Sequence, residues 1–337
     1  MNRKCLIIAE LSANHDGDIE IAKETIRAAK RAGADAVKIQ TYTSDTLTLD
    51  CKTDDFKVQG GTLWDGSYLH ELYKDASLPW EWHKELFDLA KKEGLICFST
   101  PFDFTAVDFL EELDCPIYKV ASFEIADIPL IEYIAKKQKP IIMSTGIANY
   151  DDIKLAVETC RKAGNDDITV LKCTSSYPAP VEEANLIMMQ RFAEDFNVKI
   201  GLSDHTTGNL APILAVAGGA TVIEKHFKLN DEVGVPDASF SLNEQEFKLL
   251  VDEIRKAELV MGVDSYDLSP KQILGRRYGR SLYISENIKK GDILTKNNLK
   301  SVRPGLSLHP KYYNNLLGKK VKGDFQKGSR IKLEDVQ

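Results

Sequence analysis

The stretch KIGLSDHTTGNLAPILAVAGGATVIEKHF, residues 199–227, contains a strand, a helix and a second strand in succession. Two apolar runs, KIGLSD and TVIEKHF, flank a helical segment that ends in glycine, as helices commonly do before a strand. Near their carboxyl ends the runs carry Ser203 with His205 and Glu224 with His226. Because side chains two residues apart on a strand share a face, each pair is predicted to point the same way.

The same unit recurs along the chain. Apolar, β-branched runs alternate with helical patterns eight times within residues 1–265, which predicts an α/β fold of the (β/α)₈ TIM-barrel type. A doubly wound open sheet is the alternative, but the even spacing of the units favours closure. In order, the runs are CLIIAE, AVKIQT, LICFST, PIYKVAS, PIIMST, ITVLKCT, KIGLSD and TVIEKHF.

The C-terminal part of the chain differs in pattern and in charge. We predict a catalytic barrel at 1–265, a linker at 266–277 and a small β-rich module at 278–337. The module contains 13 lysines and arginines against 5 acidic residues, although the whole chain has a net charge of -7. No overall field favours nucleic acid or an anionic membrane. Contact of the module with the acidic body or with a phosphorylated substrate is simpler than nucleic-acid binding.

The six cysteines form no C-x-x-C pair, and several lie inside apolar runs, as reduced, buried thiols usually do. The N-terminal apolar stretch is too short for a signal peptide, and no run approaches the ~20 apolar residues of a membrane span. These features predict a soluble, cytoplasmic protein without a membrane partner.

Nearly every predicted strand ends in a polar or charged side chain. In a TIM barrel these ends gather on one face, where active sites are built. Two lysines and several hydroxyl groups suit the phosphate and the carboxylate of one small anionic substrate. A structural salt bridge and an aldolase-type Schiff-base lysine are the competing interpretations. The anion-binding candidates are Lys38, Thr100, Lys119, Ser122, Ser144 and Ser203, and Gln40 shares the face of Lys38.

His205 and His226 are candidate metal ligands. Two imidazoles on adjacent strand ends, with carboxylates nearby and water in the remaining positions, would form an open site for a divalent ion. Zinc usually takes a third protein nitrogen or sulfur, so Mn²⁺ or Mg²⁺ suits the pair better. Hydrogen bonding of either histidine within the core is the alternative.

Two carboxylates and one arginine complete the candidates. Glu10 closes the first run and Glu124 follows the fourth, and either could act as a general acid or base if burial raised its pKa. Structural pairing with a lysine is the alternative. Arg303 lies in the VRPG loop of the C-terminal module. Such an arginine is usually solvated, unless the module covers the barrel of a second subunit.

Taken together, nine motifs resemble the sialic acid synthase family over essentially the whole chain. They are IIAELSANHDG, GADAVKIQT, FSTPFD, YKVASFE, STG, CTSSYP, GLSDH, VIEKHF and VRPG. The resemblance implies a TIM barrel with a C-terminal antifreeze-like (SAF) domain, assembled as a domain-swapped homodimer. The segment VQGGTLWDGSYLHELYKDASLPWEWH is most similar to the branch that makes pseudaminic acid. Ser175 stands where N-acetylneuraminate synthases typically have asparagine.

The resemblance also implies an activity. A transferase of this type condenses phosphoenolpyruvate with a 2,4-diacetamido-6-deoxy hexose, here 2,4-diacetamido-2,4,6-trideoxy-altrose, and releases phosphate by cleavage of a C–O bond. His205 and His226 would hold a divalent metal (Mn²⁺, or Mg²⁺ or Co²⁺), Glu10 would assist water addition, and Asp204 would support Ser203 and His205. The implied contacts on phosphoenolpyruvate are Lys38, Thr100, Lys119, Ser122, Ser144 and Ser203. Glu124, Tyr177 and Asp237 would lie near the sugar, and Arg303 from the partner subunit would hold an N-acetyl group. Gln40 and Ser175 are further substrate-binding candidates.

Three alternatives stay open on the sequence. An N-acetylneuraminate or legionaminic acid synthase would share these catalytic residues, a pyruvate aldolase would release no phosphate, and a noncatalytic sugar-binding barrel would turn nothing over. The segment Leu63–Trp64 is predicted to form an apolar wall beside the 6-deoxy methyl group. Packing of Trp64 within its own loop is the other interpretation.

Overall fold

The computed structural model describes residues 4–59, 65–229 and 236–337, so the predicted wall at Leu63–Trp64 lies outside the described residues. The chain divides into two compact units, Met1–Val263 and Asp264–Gln337. Helix α11 (Pro270–Gly275) lies within the segment predicted as a linker.

The first unit is a closed barrel of parallel strands, which confirms the predicted TIM barrel. The first strand pairs with both the second and the eighth, and this closure rules out the open-sheet alternative. Each strand falls on one of the apolar runs. The strands are β1 (Leu6–Glu10), β2 (Ala36–Thr41), β3 (Ile96–Pro101), β4 (Tyr118–Val120), β5 (Ile141–Ser144), β6 (Ile168–Cys173), β7 (Lys199–Asp204) and β8 (Val222–His226).

Several helices of the first unit begin at a residue whose side chain caps the first turn. In the first of them, the Asp18 side chain accepts a hydrogen bond from Glu20 N, and Gly33 ends the helix at φ 91°. The helices of the unit are α1 (Ile19–Ala32), α2 (Ser44–Leu47), α3 (Leu69–Ala76), α4 (Trp80–Lys92), α5 (Phe104–Glu112), α6 (Ile128–Ala135), α7 (Tyr150–Lys162), α8 (Met188–Phe196), α9 (Leu210–Ala217) and α10 (Glu244–Met261).

The barrel interior below the site is filled by apolar side chains. Leu171 and Val222 flank Gly201 in the strand register. A Cβ at Gly201 would lie only 2.6 Å from Leu171 Cδ2. Glycine at this position therefore lets Leu171 fill the space beneath the polar strand ends, and that packing closes the floor of the site.

The second unit has its own small apolar core. Strands β9 (Ser281–Ile284) and β10 (Leu299–Val302) pair antiparallel, with Leu299 opposite Ile284. Helix α12 (Tyr313–Leu316) contributes the buried Leu316. The core residues are Leu282, Ile284, Ile288, Leu294, Leu299, Leu316, Val321, Ile331 and Val336.

The structure also bears on the predictions about the cysteines and about membrane spans. Within the described residues all six cysteines are free thiols, as the reduced interpretation predicted. In the same part of the chain, no helix combines the length and the apolar character needed to cross a membrane.

Candidate active site

A cavity of about 420 Å³ opens at the carboxyl ends of the barrel strands. Two predicted residues lie outside its lining: Thr100 sits behind Lys38 and accepts a hydrogen bond from its Nζ at 3.2 Å, and Arg303 is exposed at the end of β10 in the second unit. The structure brings the other predicted residues together: Glu10, Lys38, Gln40, Lys119, Ser122, Glu124, Ser144, Ser175, Tyr177, Ser203, His205, His226 and Asp237.

The deepest part of the cavity is a buried cluster of two lysines and two carboxylates. Lys38 Nζ lies 2.6 Å from Glu10 Oε2 and 3.8 Å from Glu224 Oε1. Lys119 Nζ lies 3.1 Å from the same Glu224 oxygen, to which Ser203 donates a hydrogen bond at 3.0 Å. Ion pairs this deep require good geometry, because burial removes the hydration of every charge.

Glu224 is the residue that sequence reasoning missed. The alternation of β8 placed it on the inward face with His226, but no role was assigned to it. Burial alone would raise the pKa of Glu224, yet Lys119 and Lys38 outweigh burial and lower the pKa to about 2. Burial opposes the charge on Lys38 in turn, but Glu10 and Glu224 raise its pKa. Glu224 is therefore the shared counter-charge of two neighbouring lysines, although burial still lowers the pKa of Lys119.

Glu10 is held from two sides. Besides its contact with Lys38, it accepts a hydrogen bond from Gln40 Nε2 at 3.1 Å, and the same amide donates to Ser12 Oγ at 3.1 Å. Lys38 and Gln40 project from one face of β2, as their spacing predicted. The Glu10 carboxylate thus has a fixed orientation at the floor of the cavity.

The two candidate metal ligands face each other. The ring centroids of His205 and His226 are 5.3 Å apart, and both side chains are buried. His205 Nδ1 lies 2.9 Å from the carbonyl oxygen of Thr174, so a neutral ring that donates there keeps the lone pair of Nε2 free. The backbone carbonyl therefore selects the tautomer suited to metal binding.

His226 offers a second nitrogen. Burial strongly lowers its pKa, and Lys38 and Lys119 add to the shift, so the ring is neutral. Its Nδ1 is buried without a hydrogen-bond partner among the described residues and lies 4.0 Å from Asp237 Oδ2. Those residues contain no group of three or more His, Cys, Asp or Glu spaced to hold a metal. Two imidazoles supplemented by water fit an open divalent site better than a closed zinc site.

Asp204 does not have the predicted role beside Ser203 and His205. Because it occupies the intervening position of β7, its side chain points to the other side of the sheet. There Asp204 Oδ2 lies 2.5 Å from Lys225 Nζ, and that lysine also donates to the Thr206 carbonyl. The buried pair joins the two strands that lead to His205 and His226. Asp204 therefore helps to fix the backbone positions of the two histidines from the other side of the sheet.

The backbone of Gly146 lies close to the side chains of Ser122 and Ser175 in the wall of the cavity. Gly146 N donates a hydrogen bond to Ser122 Oγ at 3.1 Å, and a Cβ at this glycine would lie 2.8 Å from the same oxygen. The hypothetical Cβ would also overlap Ser175 Oγ. Ser144 Oγ is buried and unpartnered in the described structure. Glycine here leaves room for several hydroxyl donors to face one anion.

Glu124 occupies a different environment from Glu10. It lies in the turn after β4, and its Oε2 atom is buried with no hydrogen-bond partner among the residues described. Burial raises the pKa of Glu124 from 4.5 to about 7, with Asp127 adding to the shift and Lys119 opposing it. A carboxyl group of this kind exchanges its proton near neutral pH.

Replacing Glu124 with glutamine is expected to stabilise the protein progressively more as pH rises. A raised folded-state pKa contributes stability that is complete below pH 4.5 and is lost as pH climbs to about 7. The variant escapes this loss, so its advantage should grow by about 2 to 3 kcal/mol between pH 5 and pH 8. Urea unfolding at several pH values measures it, with the exposed Glu182→Gln as the matched control. Parallel stability curves for wild type and Glu124→Gln would contradict the burial of an ionisable group.

Comparison with known proteins agrees with this architecture. The NeuB family profile matches residues 25–266, and the SAF domain profile matches residues 279–337. A pseudaminic acid synthase of Campylobacter jejuni is 49% identical over 100% of this chain and 98% of its own. An N,N'-diacetyllegionaminic acid synthase of the same strain is 38% identical over 98% of this chain and 99% of its own.

One solved structure is similar to this chain in both sequence and fold. The crystal structure of N-acetylneuraminic acid synthetase from Leptospira borgpetersenii is 30% identical, has a TM-score of 0.73 and covers 81% of this chain and 90% of its own. The family resemblance of the motifs is confirmed. With the closed barrel and its polar strand ends, these matches show that the chain belongs to the NeuB family and carries a C-terminal SAF domain.

Proposed function

We propose that the protein is a metal-dependent pseudaminic acid synthase. It would condense phosphoenolpyruvate with 2,4-diacetamido-2,4,6-trideoxy-altrose and release phosphate by cleavage of the C–O bond. The observation that carries the proposal is the buried cluster of Lys38, Lys119, Glu10 and Glu224 beside His205 and His226. The 49% identity to a pseudaminic acid synthase over the whole chain supports the same activity.

The charged floor of the cavity is the proposed phosphoenolpyruvate site. Lys38 and Lys119 supply two cations, and Ser122, Ser144 and Ser203 supply hydroxyl donors. The unpartnered Ser144 Oγ gains an acceptor when an anion enters. Thr100 and Gln40 would act on phosphoenolpyruvate indirectly, because they orient Lys38 and Glu10 by hydrogen bonds.

A divalent cation, Mn²⁺ in our proposal with Mg²⁺ or Co²⁺ as alternatives, would be held by His205 and His226. When bound, it supplies Lewis-acid polarisation of the sugar aldehyde. The surrounding side chains orient the substrates and move protons. Glu10, fixed by Lys38 and Gln40, is placed to take a proton from the water that adds at C2 before phosphate leaves. Glu224 supplies the negative charge that both lysines face.

The ion pairs of Lys38 also argue against an aldolase. A Schiff-base lysine must become a neutral amine before it attacks a carbonyl. Lys38 instead contacts two carboxylates, which raise its pKa, and Lys119 lies 3.1 Å from Glu224. Lys38 is thus arranged as a fixed cation, which favours binding of a phosphorylated substrate over nucleophilic attack. Burial lowers the pKa of Lys119, and its ion pair with Glu224 opposes that shift.

The sugar is proposed to occupy the cavity near Glu124, Ser175, Tyr177 and Asp237. In a homodimer, Arg303 of the partner protomer would contact an N-acetyl group, and its exposure in the SAF domain leaves the guanidinium available. A legionaminic acid synthase is the second candidate, because the same cavity floor would serve it. The lower identity of 38% to such an enzyme makes it the weaker choice.

Phosphate release from phosphoenolpyruvate tests the proposal. With Mn²⁺ present, we expect release with the altro 2,4-diacetamido-6-deoxy sugar, and little with its manno counterpart or with N-acetylmannosamine. Chelation of the metal should stop release, and added Mn²⁺ should restore it. Preference for the manno sugar would move the assignment to legionaminic acid. Turnover of pyruvate without phosphate release would restore the aldolase interpretation.

A further inference from the structure

The cavity has a second, apolar part that none of the assigned roles explains. We call it the outer lobe and define it by Leu47, Val58, Leu69, Leu72, Tyr73 and Phe102. The first five residues come from the segment between β2 and α4, which contains the short helices α2 and α3. The outer lobe and the charged floor line the same cavity, so a ligand bound there spans both environments.

Contacts among neighbouring side chains fix the shape of the outer lobe. Tyr42 is buried between Tyr73 and Phe102, with ring centroids 6.1 Å and 5.1 Å away and edge-on geometry. His70 Nε2 on α3 lies 2.9 Å from Asp45 Oδ1 on α2, which joins the two helices. These contacts hold the apolar side chains in place at the cavity.

Glu124 is the carboxyl group that interacts with both parts, with Lys119 of the charged floor and with Tyr73 of the outer lobe. Its unpartnered, buried Oε2 lies in the same cavity lining, and its charge acts on the Tyr73 hydroxyl. A carboxyl in this position can accept one hydrogen bond from a ligand N–H or O–H. The rest of the outer lobe offers leucine, valine and aromatic surface to whatever extends past that point.

This arrangement determines which part of a sugar fits. In the proposed function phosphoenolpyruvate takes the cations, which leaves Glu124 and the apolar side chains of the same cavity lining to the sugar chain. Against Leu47, Leu69 and Leu72 a hydroxyl group would lose its water without gaining a partner, whereas a methyl group gains by burial. We propose that the outer lobe recognises the deoxygenated, methyl-bearing end of the sugar and that Leu72 is a specificity-determining residue. This inference rests on the proposed function.

Leu72→Asn tests the inference with two sugars that differ at one atom. The first is the altro 2,4-diacetamido-6-deoxy sugar, and the second is its counterpart with a hydroxyl at C6. In wild type we expect kcat/KM for the deoxy sugar to exceed that for the hydroxy sugar by about tenfold or more. In Leu72→Asn the ratio should fall about tenfold, while KM for phosphoenolpyruvate stays unchanged.

Matched variants separate recognition from folding. Lys74→Gln, an exposed position on the same helix, should keep the wild-type ratio, and Leu72→Met should restore most of the preference. Leu47→Asn repeats the test from α2 if Leu72→Asn unfolds. An unchanged ratio in folded, active Leu72→Asn or Leu47→Asn overturns the inference and leaves the proposed function intact. Absence of phosphate release by wild type with every sugar overturns the proposed function instead.

Discussion

His205→Ala is expected to abolish metal binding and to lower phosphate release by at least about a thousandfold, since a Lewis acid contributes several kcal/mol. The imidazole of His205 is held by the Thr174 carbonyl in the tautomer that leaves Nε2 free, and alanine provides no nitrogen in its place. His226→Ala should behave alike, because one remaining imidazole is too few protein ligands to retain the ion.

Mass spectrometry measures the bound metal and circular dichroism checks the fold, so the loss of metal is followed independently of activity. The exposed His309→Ala variant is the control and should keep both metal and turnover. Retention of a stoichiometric divalent ion by folded His205→Ala would show that the ion is held elsewhere. Full activity in that variant would remove His205 from the site.

Glu224→Gln is expected to destabilise the empty protein by about 3 to 5 kcal/mol, because it leaves Lys38 and Lys119 buried without their shared counter-charge. The amide retains the shape of the side chain but lacks the negative charge, which Lys119 and Lys38 favour so strongly that the pKa of Glu224 falls to about 2. Activity should fall with stability, since Lys119 loses its ion pair and Lys38 keeps only Glu10 as a counter-charge. Urea unfolding measures the first effect and phosphate release the second.

An anion provides a sharper form of the same test. Phosphoenolpyruvate or inorganic phosphate would supply the missing negative charge, so either should raise the melting temperature of Glu224→Gln more than that of wild type. The exposed Glu194→Gln variant should respond like wild type. Equal stabilisation of Glu224→Gln and wild type would mean that the anion binds away from the two lysines.

The sequence alone determined the barrel and the floor of its site. Eight apolar runs of similar spacing predicted the strands, and period-two alternation placed Lys38 with Gln40 and His205 with Ser203 on the inward face. These predictions depend on local geometry, which the chain encodes residue by residue. The resemblance of the motifs to one family supplied the chemistry that alternation could not.

Only the tertiary structure decided which charges meet. The pairing of Glu224 with both lysines depends on how β2, β4 and β8 are placed in the closed sheet, and Lys119 and Glu224 are 105 positions apart in the sequence. The register of β7 and β8 sends Asp204 to Lys225 instead of toward His205. Composition and spacing carry no information on register across a closed sheet. The outer lobe has the same origin, because α2 and α3 reach the cavity through tertiary contacts that no sequence period predicts.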